Sequence, residues 1–529
     1  MRWPMRWLVI LAWLLCCSQA RALTPEQAGR IADGDSESRI AALNEAAASG
    51  DAALGPFIDA LLDGSVRVAG GRAYVVAGES AVEAVEAGTG RAVPLPEGAE
   101  EPLVNNRMRR ELQAARAALS LFAPERAARA AAIAALKDEI DESRLPLLEK
   151  AAAAETDAAL RGQLALLKAG VLIGSDDRTR RLEAATLLGA SGEPAVRSLL
   201  LERQRSEADA DVKAAIAESL KRVESRLAWG ERLGVLFTGA SLGSILLLVA
   251  LGLAITYGLM GVINMAHGEL MMIGAYATWL VQNLFRQHLP GWFDWYVLAA
   301  VPAAFLVSAG VGALLERSVI RWLYGRPLET LLATWGISLV LMQAVRSTFG
   351  AQNVAVENPS WLSGGVQVLP NLVLPYNRIG ILVFAALVLV GMALLIGRTR
   401  LGLFVRGVTQ NRAMASCMGV PTARVDTYAF ALGAGIAGLA GCALAQVGNV
   451  GPDLGQSYIV DSFMVVVLGG VGQLAGTVYA ALGLGVLNKL LEGWAGAVLA
   501  KIMVLVFIVV FIQKRPQGLF ALKGRSAEA

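Results

Sequence analysis

Three side chains that can donate, accept or transfer a proton interrupt one of the most apolar stretches of the chain. Residues 251–274 read LGLAITYGLMGVINMAHGELMMIG, with Asn264, His267 and Glu269 inside the run. Such groups are costly within a membrane unless they line an interior filled by protein or water, so we treat them as candidates for function. The glycines of this stretch predict a helix that is broken or closely packed. On a continuous helix Asn264 and His267 share one face, whereas Glu269 points away from His267.

The composition of the whole chain is an average over two different halves. Of its 529 residues, 55% are hydrophobic and 17% are charged. Residues 24–232 are rich in alanine and charged side chains, whereas residues 234–513 form a series of long apolar runs. This division predicts a soluble domain followed by a polytopic membrane domain. The net charge of +3 is too small to indicate a nucleic-acid partner.

Residues 1–22 have the layout of a secretory signal peptide. Arg2 and Arg6 precede the apolar run Trp7–Leu15, and Ala20–Ala22 fits a small-residue cleavage site. The run is too short to span a bilayer comfortably, and an uncleaved anchor is the alternative. A leucine precedes Cys16, which argues against a lipid-modified cysteine. The cysteine spacing predicts no disulfide framework.

Residues 23–230 are predicted to form a helical domain. Two passages, Leu145–Lys168 and Val196–Lys221, each combine a short apolar helix, a polar turn with aspartate and a second helix. Their offset of about fifty residues predicts helical hairpins similar to HEAT repeats. Residues 66–96 alternate valine with polar residues between glycine pairs, which predicts a small β-hairpin. We interpret the many charges as a solvated surface, and a specific ligand site is the alternative.

The predicted fold class is all-α, with the repeat domain followed by a polytopic membrane bundle. Within residues 231–520 the apolar runs predict about eight spans. A shorter run over residues 459–468 predicts a discontinuous helix in the bundle interior. The predicted spans are 234–257, 269–285, 296–315, 328–347, 379–396, 428–447, 477–490 and 497–512.

The basic residues predict how these spans are oriented. They cluster in the loops 316–326 and 398–424 and in the C-terminal tail, which includes residues 521–529. The positive-inside rule places all three regions in the cytoplasm. The N-terminal domain and the segment 349–377 then lie on the outer side, which agrees with a signal peptide.

The second basic loop contains a segment suited to binding a soluble partner. Residues 409–418 predict a short helix that starts at Thr409 or Asn411 and stops at the glycine and proline that follow. Met414 and Met418 would share one face, and exposed methionines suit docking in a groove of another protein. A helix lying on the membrane surface is the alternative. The residues assigned to this segment are Thr409, Asn411, Arg412, Met414, Ala415, Met418, Gly419 and Val420.

Small residues at helical spacing mark the region 469–480. Gly472, Gly476 and Ala480 recur every four residues, a spacing that lets membrane helices approach closely. Helix packing is therefore the role predicted for Gly469 and Gly470, and for Gly472 and Gly476. The chain contains no G-x-x-x-x-G-K-[ST] motif, which disfavours a phosphate-cradling loop. We expect no catalytic residues, no cofactor and no metal site.

Four stretches of the chain carry a resemblance to one family. The permeases of branched-chain amino acid ABC importers are similar to GLAITYGLMGVINMAHGELMMIGAY (252–276), TRLGLFVRGVTQNRAMASCMGVPTARV (399–425), VVVLGGVGQLAGTVYAALGLGVLN (465–488) and KRPQGLF (514–520). The resemblance covers residues 234–520. Within that family, the added helical N-terminal region behind a signal peptide makes this chain resemble the urea permease subunit. The sequence of the first stretch, residues 252–276, favours the same subunit.

The resemblance implies an ATP-driven importer in a bacterial inner membrane. Its partners would be a second, homologous permease subunit, two cytoplasmic ATP-binding subunits and a periplasmic substrate-binding protein. Residues 409–420 would form the coupling helix received by an ATP-binding subunit. The N-terminal domain would be periplasmic and the C-terminus cytoplasmic. The family's transport motifs do not extend into the N-terminal domain, so the resemblance implies no role for it.

A path for urea needs a few hydrogen-bond donors and acceptors and no fixed charge. We expect Asn264 and His267, with Gln446 and Asn449, to supply them, and hydrogen bonding between helices is the alternative for each. Glu269, also a pathway candidate, suits pairing with a neighbouring helix better than binding a substrate. Three other functions stay open: import of branched-chain amino acids or short-chain amides, a passive urea or water channel, and a scaffold or receptor based on the outer domain.

Overall fold

The computed structural model describes residues 23–49, 53–76, 83–96, 98–136, 145–260, 264–470, 473–515 and 518–520. Contacts divide the chain into two units, Met1–Leu227 and Ala228–Ala529. Three predicted features lie outside the described residues: the signal peptide at 1–22, Gly472 and the tail 521–529.

The first part of the N-terminal unit packs helices against a small sheet. Thr24 starts the first helix with a capping box, because its hydroxyl accepts from the Gln27 N–H and the Gln27 side chain accepts from the Thr24 N–H, both at 3.2 Å. Buried alanine, leucine and isoleucine side chains form the core between helices and sheet. The helices are α1 (Pro25–Ala32), α2 (Ser36–Ser49), α3 (Leu54–Leu62) and α4 (Asn106–Ser120).

The sheet has four antiparallel strands in sequential order. The strands are β1 (Val66–Ala69), β2 (Arg72–Val76), β3 (Glu83–Glu86) and β4 (Ala92–Pro94). The register pairs Val66 with Val75, Val75 with Val85, and Val85 with Ala92. The sequence predicted a single hairpin, whereas the described residues here form four strands. The alternating pattern continues through a second glycine-containing turn.

The rest of this unit contains an internal repeat with a period of 52 residues. Arg129 forms an ion pair with Glu155 at 2.8 Å, and Arg181 forms the equivalent pair with Glu207 at 3.1 Å. Each arginine also donates to two carbonyl oxygens in the turn before its helix, at 2.9–3.0 Å. The helices are α5 (Arg126–Leu136), α6 (Leu145–Ala154), α7 (Ala158–Leu172), α8 (Arg178–Leu188), α9 (Pro194–Ser206) and α10 (Ala210–Met260).

The turns of the repeat are held by the same acceptors in both copies. Asp157 accepts from the backbone N–H groups two and three residues later, at 2.8 and 3.2 Å, and Asp209 does the same at 2.9 and 3.2 Å. Hydrogen bonds from the Arg129 guanidinium and from the Asp157 backbone lower the pKa of Glu155 to about 2. These contacts agree with the predicted helical repeat and fix its period.

The membrane unit contains the remaining helices and one hairpin. The helix α10 continues past Leu227 into this unit. The hairpin joins β5 (Gly365–Leu369) to β6 (Leu372–Pro375), and three short 3-10 helices lie at Pro290–Trp295, Ile320–Leu323 and Ser360–Leu362. The α-helices are α11 (His267–His288), α12 (Tyr296–Ser318), α13 (Pro327–Phe349), α14 (Tyr376–Arg398), α15 (Arg400–Gln410), α16 (Arg412–Cys417), α17 (Thr422–Ala445), α18 (Leu454–Gly469), α19 (Leu474–Ala495) and α20 (Ala497–Lys514).

Seven helices in the described parts of the chain are long and apolar enough to cross a membrane. They correspond to seven of the predicted spans, and the predicted all-α class is confirmed. The remaining prediction, 269–285, is the helix α11, which is not among the seven by composition. The first half of α11 is buried by other helices and does not face lipid. It can therefore contain polar residues that a lipid-facing helix could not. The predicted short helix is α18, which is longer than residues 459–468.

The helix α17 lies at the centre of the bundle. In its most apolar window 83% of residues are buried, against 17% for α14 and for α20. Glycines bring it against two other helices: Gly433 meets Gly252 of α10, and Gly441 meets Met271 of α11. A Cβ on Gly433 would lie 2.8 Å from the Gly252 oxygen. These glycines therefore let α17 pack closely against α10 and α11.

Candidate functional site

The helix α11 begins inside the bundle, beside the last quarter of α10. The His267 Nε2 atom lies 3.2 Å from the Val249 carbonyl oxygen, and the ring packs against Gly252. Gly252 precedes the end of α10 at Met260 by eight residues, which is about 12 Å of helix. The chain therefore returns into the bundle before α11 starts. The backbone N–H groups at this start are largely bonded within the chain, because those of His267, Glu269 and Leu270 donate to the carbonyls of Asn264 and Ala266.

Asn264 holds the turn before this helix. Its side chain is fully buried, its Oδ1 accepts from the Ala266 N–H at 3.1 Å, and its carbonyl accepts from the His267 N–H at 3.2 Å. The helix is broken here, as the glycines predicted, so Asn264 and His267 do not share the face of a continuous helix. The Asn264 Nδ2 and the His267 Nδ1 have no hydrogen-bond partner among the described residues.

Glu269 points to a different neighbour. The Ser338 hydroxyl of α13 donates to its Oε1 at 3.0 Å, while Oε2 has no partner in the part of the chain that is described. His267 faces α10 and Glu269 faces α13, in agreement with the prediction that the two do not form one cluster. The pairing of Glu269 with a neighbouring helix was also predicted.

A row of hydroxyls on α13 was missed by the sequence analysis. Thr330, Thr334 and Ser338 recur every four residues and are buried on one face. The Thr334 hydroxyl accepts from the Met265 N–H at 3.3 Å, so this row contacts the turn before α11 and, through Ser338, the first turn of α11. The spacing of the three hydroxyls was a signal that could have identified the row.

Gln446 and Asn449 lie away from the helix break. Gln446 follows α17, where its Oε1 accepts from the Tyr296 hydroxyl at 3.2 Å and its carbonyl accepts from Asn377 Nδ2 at 3.0 Å. It is thirteen residues beyond Gly433, or about 20 Å along the helix. Asn449 is exposed in the following loop. Asn264, His267 and Glu269 therefore all lie at the start of α11, with His267 and Glu269 facing different helices, and the other two predicted pathway residues lie elsewhere.

The charges around the helix break are sparse. Among the described residues of the membrane unit, no lysine or arginine side chain is fully buried. The described residues also contain no group of three His, Cys, Asp or Glu side chains placed to hold a metal ion. What the break offers is a carboxyl, an imidazole and an amide, each with one atom free to form a hydrogen bond. Each of these groups can form a hydrogen bond with a small polar molecule, and none of them carries a fixed positive charge.

The predicted docking segment is two helices and not one. Asn411 lies between α15 and α16 and caps α16 by accepting from the Met414 N–H at 2.9 Å. The alternative cap, Thr409, is wrong, because this residue lies in the last turn of α15. Met414 and Met418 are 60% and 78% exposed. The exposed methionines form the surface on which the docking prediction depends.

The opposite side of α16 is fixed to the bundle. Ala415 is buried in a cluster with Val408 and Val425, and its carbonyl accepts from the Val420 N–H at 3.1 Å. Gly419 ends the segment with φ +80°, a conformation that favours glycine. The helix α16 therefore presents methionines outward while its alanine packs inward.

Charged residues next to this segment form a network that the sequence analysis missed. Arg412 forms an ion pair with Asp426 of α17 through both guanidinium nitrogens and lies over the Tyr324 ring at 4.5 Å. The Thr427 hydroxyl donates to Glu316 of α12 at 2.5 Å. The signal was present in the sequence, since acids within apolar runs are costly unless they are paired.

The glycines at the end of α18 approach another helix. A Cβ on Gly469 would lie 2.6 Å from the Gly476 carbonyl carbon of α19, so neither position has room for a side chain. Gly470 ends α18 with φ +95°. These contacts agree with the packing role predicted for Gly469 and Gly476, whereas the conformation of Gly470 gives it the role of ending α18.

Comparison with known proteins identifies similar sequences for the membrane unit. The profile of a family described as "Branched-chain amino acid transport system / permease component" matches residues 235–512. The branched-chain amino acid permease protein BraD of Pseudomonas aeruginosa is 30% identical over 290 residues, which are 54% of this chain and 94% of that protein. LivH of Escherichia coli is 28% identical over 291 residues, with the same shares.

A second kind of permease protein is also similar. LivM of Salmonella typhimurium is 29% identical over 306 residues, which are 53% of this chain and 68% of LivM. No solved structure matches the chain significantly. The family match begins at residue 235, so it does not include the N-terminal unit.

Proposed function

The chain belongs to the family of branched-chain amino acid transport permease components, and on this premise we propose that it is the membrane-spanning subunit of an ATP-driven importer of urea. The family match includes the helix break, the docking segment and the central helix α17. The partners that we propose are a second permease subunit, two cytoplasmic ATP-binding subunits and a periplasmic substrate-binding protein. Similarity to both LivH and LivM supports a pair of related permeases.

The observation that favours urea is the pair of buried nitrogen atoms at the helix break that lack a partner in the described part of the chain. Asn264 and His267 each keep one buried nitrogen without a partner among the described residues. A neutral molecule with several donors and acceptors can use these atoms, because buried polar groups gain most from hydrogen bonds that replace lost water. An amino acid zwitterion would bring a carboxylate, for which the described membrane unit provides no fully buried lysine or arginine.

The mechanism that we propose is alternating access around the start of α11. Asn264 and His267 hydrogen-bond the substrate, while Glu269 and Ser338 hold α11 to α13. The methionine surface of α16 binds an ATP-binding subunit, and ATP binding there changes which side of the membrane reaches the break. Affinity in the permease is low, and the binding protein selects the cargo.

Import of branched-chain amino acids is the second candidate function. It is favoured by the relatives, since BraD, LivH and LivM are all named as branched-chain amino acid permease proteins. Short-chain amides fit the break for the same reason as urea. A passive channel is disfavoured by the exposed methionines of α16, which a channel without ATP-binding partners does not need.

For the N-terminal unit we propose a periplasmic platform that binds the substrate-binding protein. The proposal is supported by the signal peptide and charge asymmetry of the sequence and by the helical repeat, an architecture that often presents protein-binding surfaces. Deleting residues 24–208 while keeping residues 1–23 should abolish association with the binding protein. Full association of the deleted chain would refute the platform.

The experiment that tests the importer is uptake of labelled urea and labelled leucine at low micromolar concentration. Cells with and without the gene are compared before and after ATP depletion. Loss of ATP-dependent urea uptake alone supports the proposal. Loss of leucine uptake instead assigns the chain to amino acid import, and uptake that survives ATP depletion assigns it to a passive channel.

A further inference from the structure

Two acids are buried beside the docking segment, each with a basic partner. The side chains of Asp426 and Glu316 are 1% and 0% exposed. Asp426 pairs with Arg412, and Glu316 lies 4.0 Å from Arg321. Removing such a carboxylate from water is costly unless an opposite charge and hydrogen bonds compensate. The ion pairs therefore restrain the elements that carry them.

The elements joined in this way are the docking helix and the centre of the bundle. Arg412 is the first residue of α16, and Asp426 is the fifth residue of α17. Thr427, the next residue of α17, donates to Glu316 near the end of α12. Arg412 also stacks on Tyr324, which follows α12 and its short 3-10 helix. One arginine thus contacts two elements that meet at this end of the bundle.

The helix α17 extends from this network to the helix break. Gly433, seven residues after Asp426, meets Gly252, and Gly252 contacts the His267 ring. Gly441 then meets Met271 on α11. A movement of the start of α17 is therefore transmitted to α10 and α11, because the contacts between these helices leave no room for a side chain.

We propose that the Arg412–Asp426 pair is the mechanical link that makes α17 follow α16 when an ATP-binding subunit moves the methionine surface. This inference rests on the proposed function, because it assigns a positioning role to Arg412 within that importer. The apolar contact made by Ala415 can slide along its neighbours. An ion pair in which two nitrogen atoms of Arg412 bind the buried carboxylate of Asp426 keeps its geometry. Arg412 touches no substrate and acts through α17.

The test uses the assembled importer in proteoliposomes, with uptake and ATP hydrolysis measured in the same preparation. The main variant is the neutral pair Arg412→Gln with Asp426→Asn, which removes the link without leaving an unpaired buried charge. We expect ATP-binding subunits to associate normally and the molecules imported per ATP to fall about tenfold or more. Arg412→Lys, which keeps the charge but loses the two-point geometry, should give an intermediate ratio. Arg398→Gln, at the exposed end of α14, should keep the normal ratio.

The outcomes separate this inference from the proposed function. Normal association together with an unchanged ratio in the neutral pair would overturn the link and leave the importer intact. Failure of the unaltered chain to bind ATP-binding subunits would overturn the proposed function and the link with it. Recovery of the ratio by exchanging the charges, Arg412→Asp with Asp426→Arg, would support the ion pair over a loss of packing.

Discussion

The two units of the chain treat polar side chains in opposite ways. In the N-terminal unit, Arg129 and Glu155 make several hydrogen bonds, and Arg181 repeats the ion pair, with Glu207, and the two carbonyl contacts, although its Nε has no hydrogen-bond partner among the described residues. In the membrane unit, the polar atoms at the start of α11 are buried but incompletely paired. Repeated ion pairs stabilise one arrangement, whereas a buried helix start with several unpaired polar atoms keeps a binding capacity. The comparison separates polar groups that hold a fold from polar groups that are available to a substrate.

The largest effect is expected from the glycine contacts that bring the membrane helices together. Gly441→Leu would place its side chain against backbone atoms of Met271 and Ala275, which cannot move away. Overpacking of this kind costs about 1–3 kcal/mol or more, so the yield of monodisperse protein should fall at least about tenfold. Gly483→Leu is the matched control, because nothing lies within 4 Å of that position. Equal yields for the two variants would contradict the central position of α17.

The next effect concerns the unpaired atoms at the helix break. His267→Phe keeps the ring but removes both nitrogens, and Asn264→Ala removes the free amide. Each should lower ATP-dependent uptake by about tenfold or more, because one substrate hydrogen bond is worth about that factor when buried. His288→Phe, at the exposed end of the same helix, should transport normally. Normal uptake by both break variants would make these residues structural, like the pairs of the N-terminal unit.

An intermediate effect is expected at the exposed methionines. Replacing Met414 and Met418 with aspartate puts two charges on the surface proposed to enter a groove of an ATP-binding subunit. Association of that subunit with the membrane complex should be lost while the chain still folds, since both side chains are exposed. Co-purification measures the association, and retention at the normal level would remove the docking role.

The smallest effect is a pH dependence in the N-terminal unit. The pKa of Glu155 is lowered from 4.5 to about 2, so the ionised carboxylate stabilises the fold fully above about pH 4.5. That contribution is lost as the pH falls through about 2. Glu155→Gln should increase hydrogen exchange in α5 and α7 at pH 5 by at most about tenfold, with no difference from the unaltered chain near pH 2. Glu218→Gln, from an exposed pair with Arg222, is the control and should change nothing. A difference that persisted at pH 2 would assign the effect to packing.

Much of this organisation could be predicted because it follows from local pattern. Long apolar runs predict spans, and a recurring helix–turn–helix passage predicts a repeat. The start of α11 was also indicated, since Asn264 and Glu269 stand out in an apolar run. Partners that come from distant parts of the chain could not be assigned. Ser338 is 69 residues from Glu269, and nothing in local periodicity pairs them.

Two local alternatives were decided by features that local pattern does not show. Gln446 stays a predicted pathway residue, but a hydroxyl 150 residues earlier, on Tyr296, donates to its side-chain oxygen, and only its Nε2 has no partner among the described residues. Thr409 and Asn411 were the two predicted caps of the docking helix; the preceding helix extends through Thr409 to Gln410, and Asn411 is the cap. In both cases a tertiary contact or a longer helix decided between local alternatives that the sequence left equal.

The 52-residue repeat has a consequence for how the N-terminal unit can change. Each key arginine precedes its glutamate by 26 residues, and the two sets are one period apart. Gain or loss of 52 codons between equivalent positions would leave every remaining arginine opposite a glutamate. An insertion of another length in the same segment would separate these partners. The segment therefore has the form of a tandem duplication, whose length can change in whole periods without separating these partners.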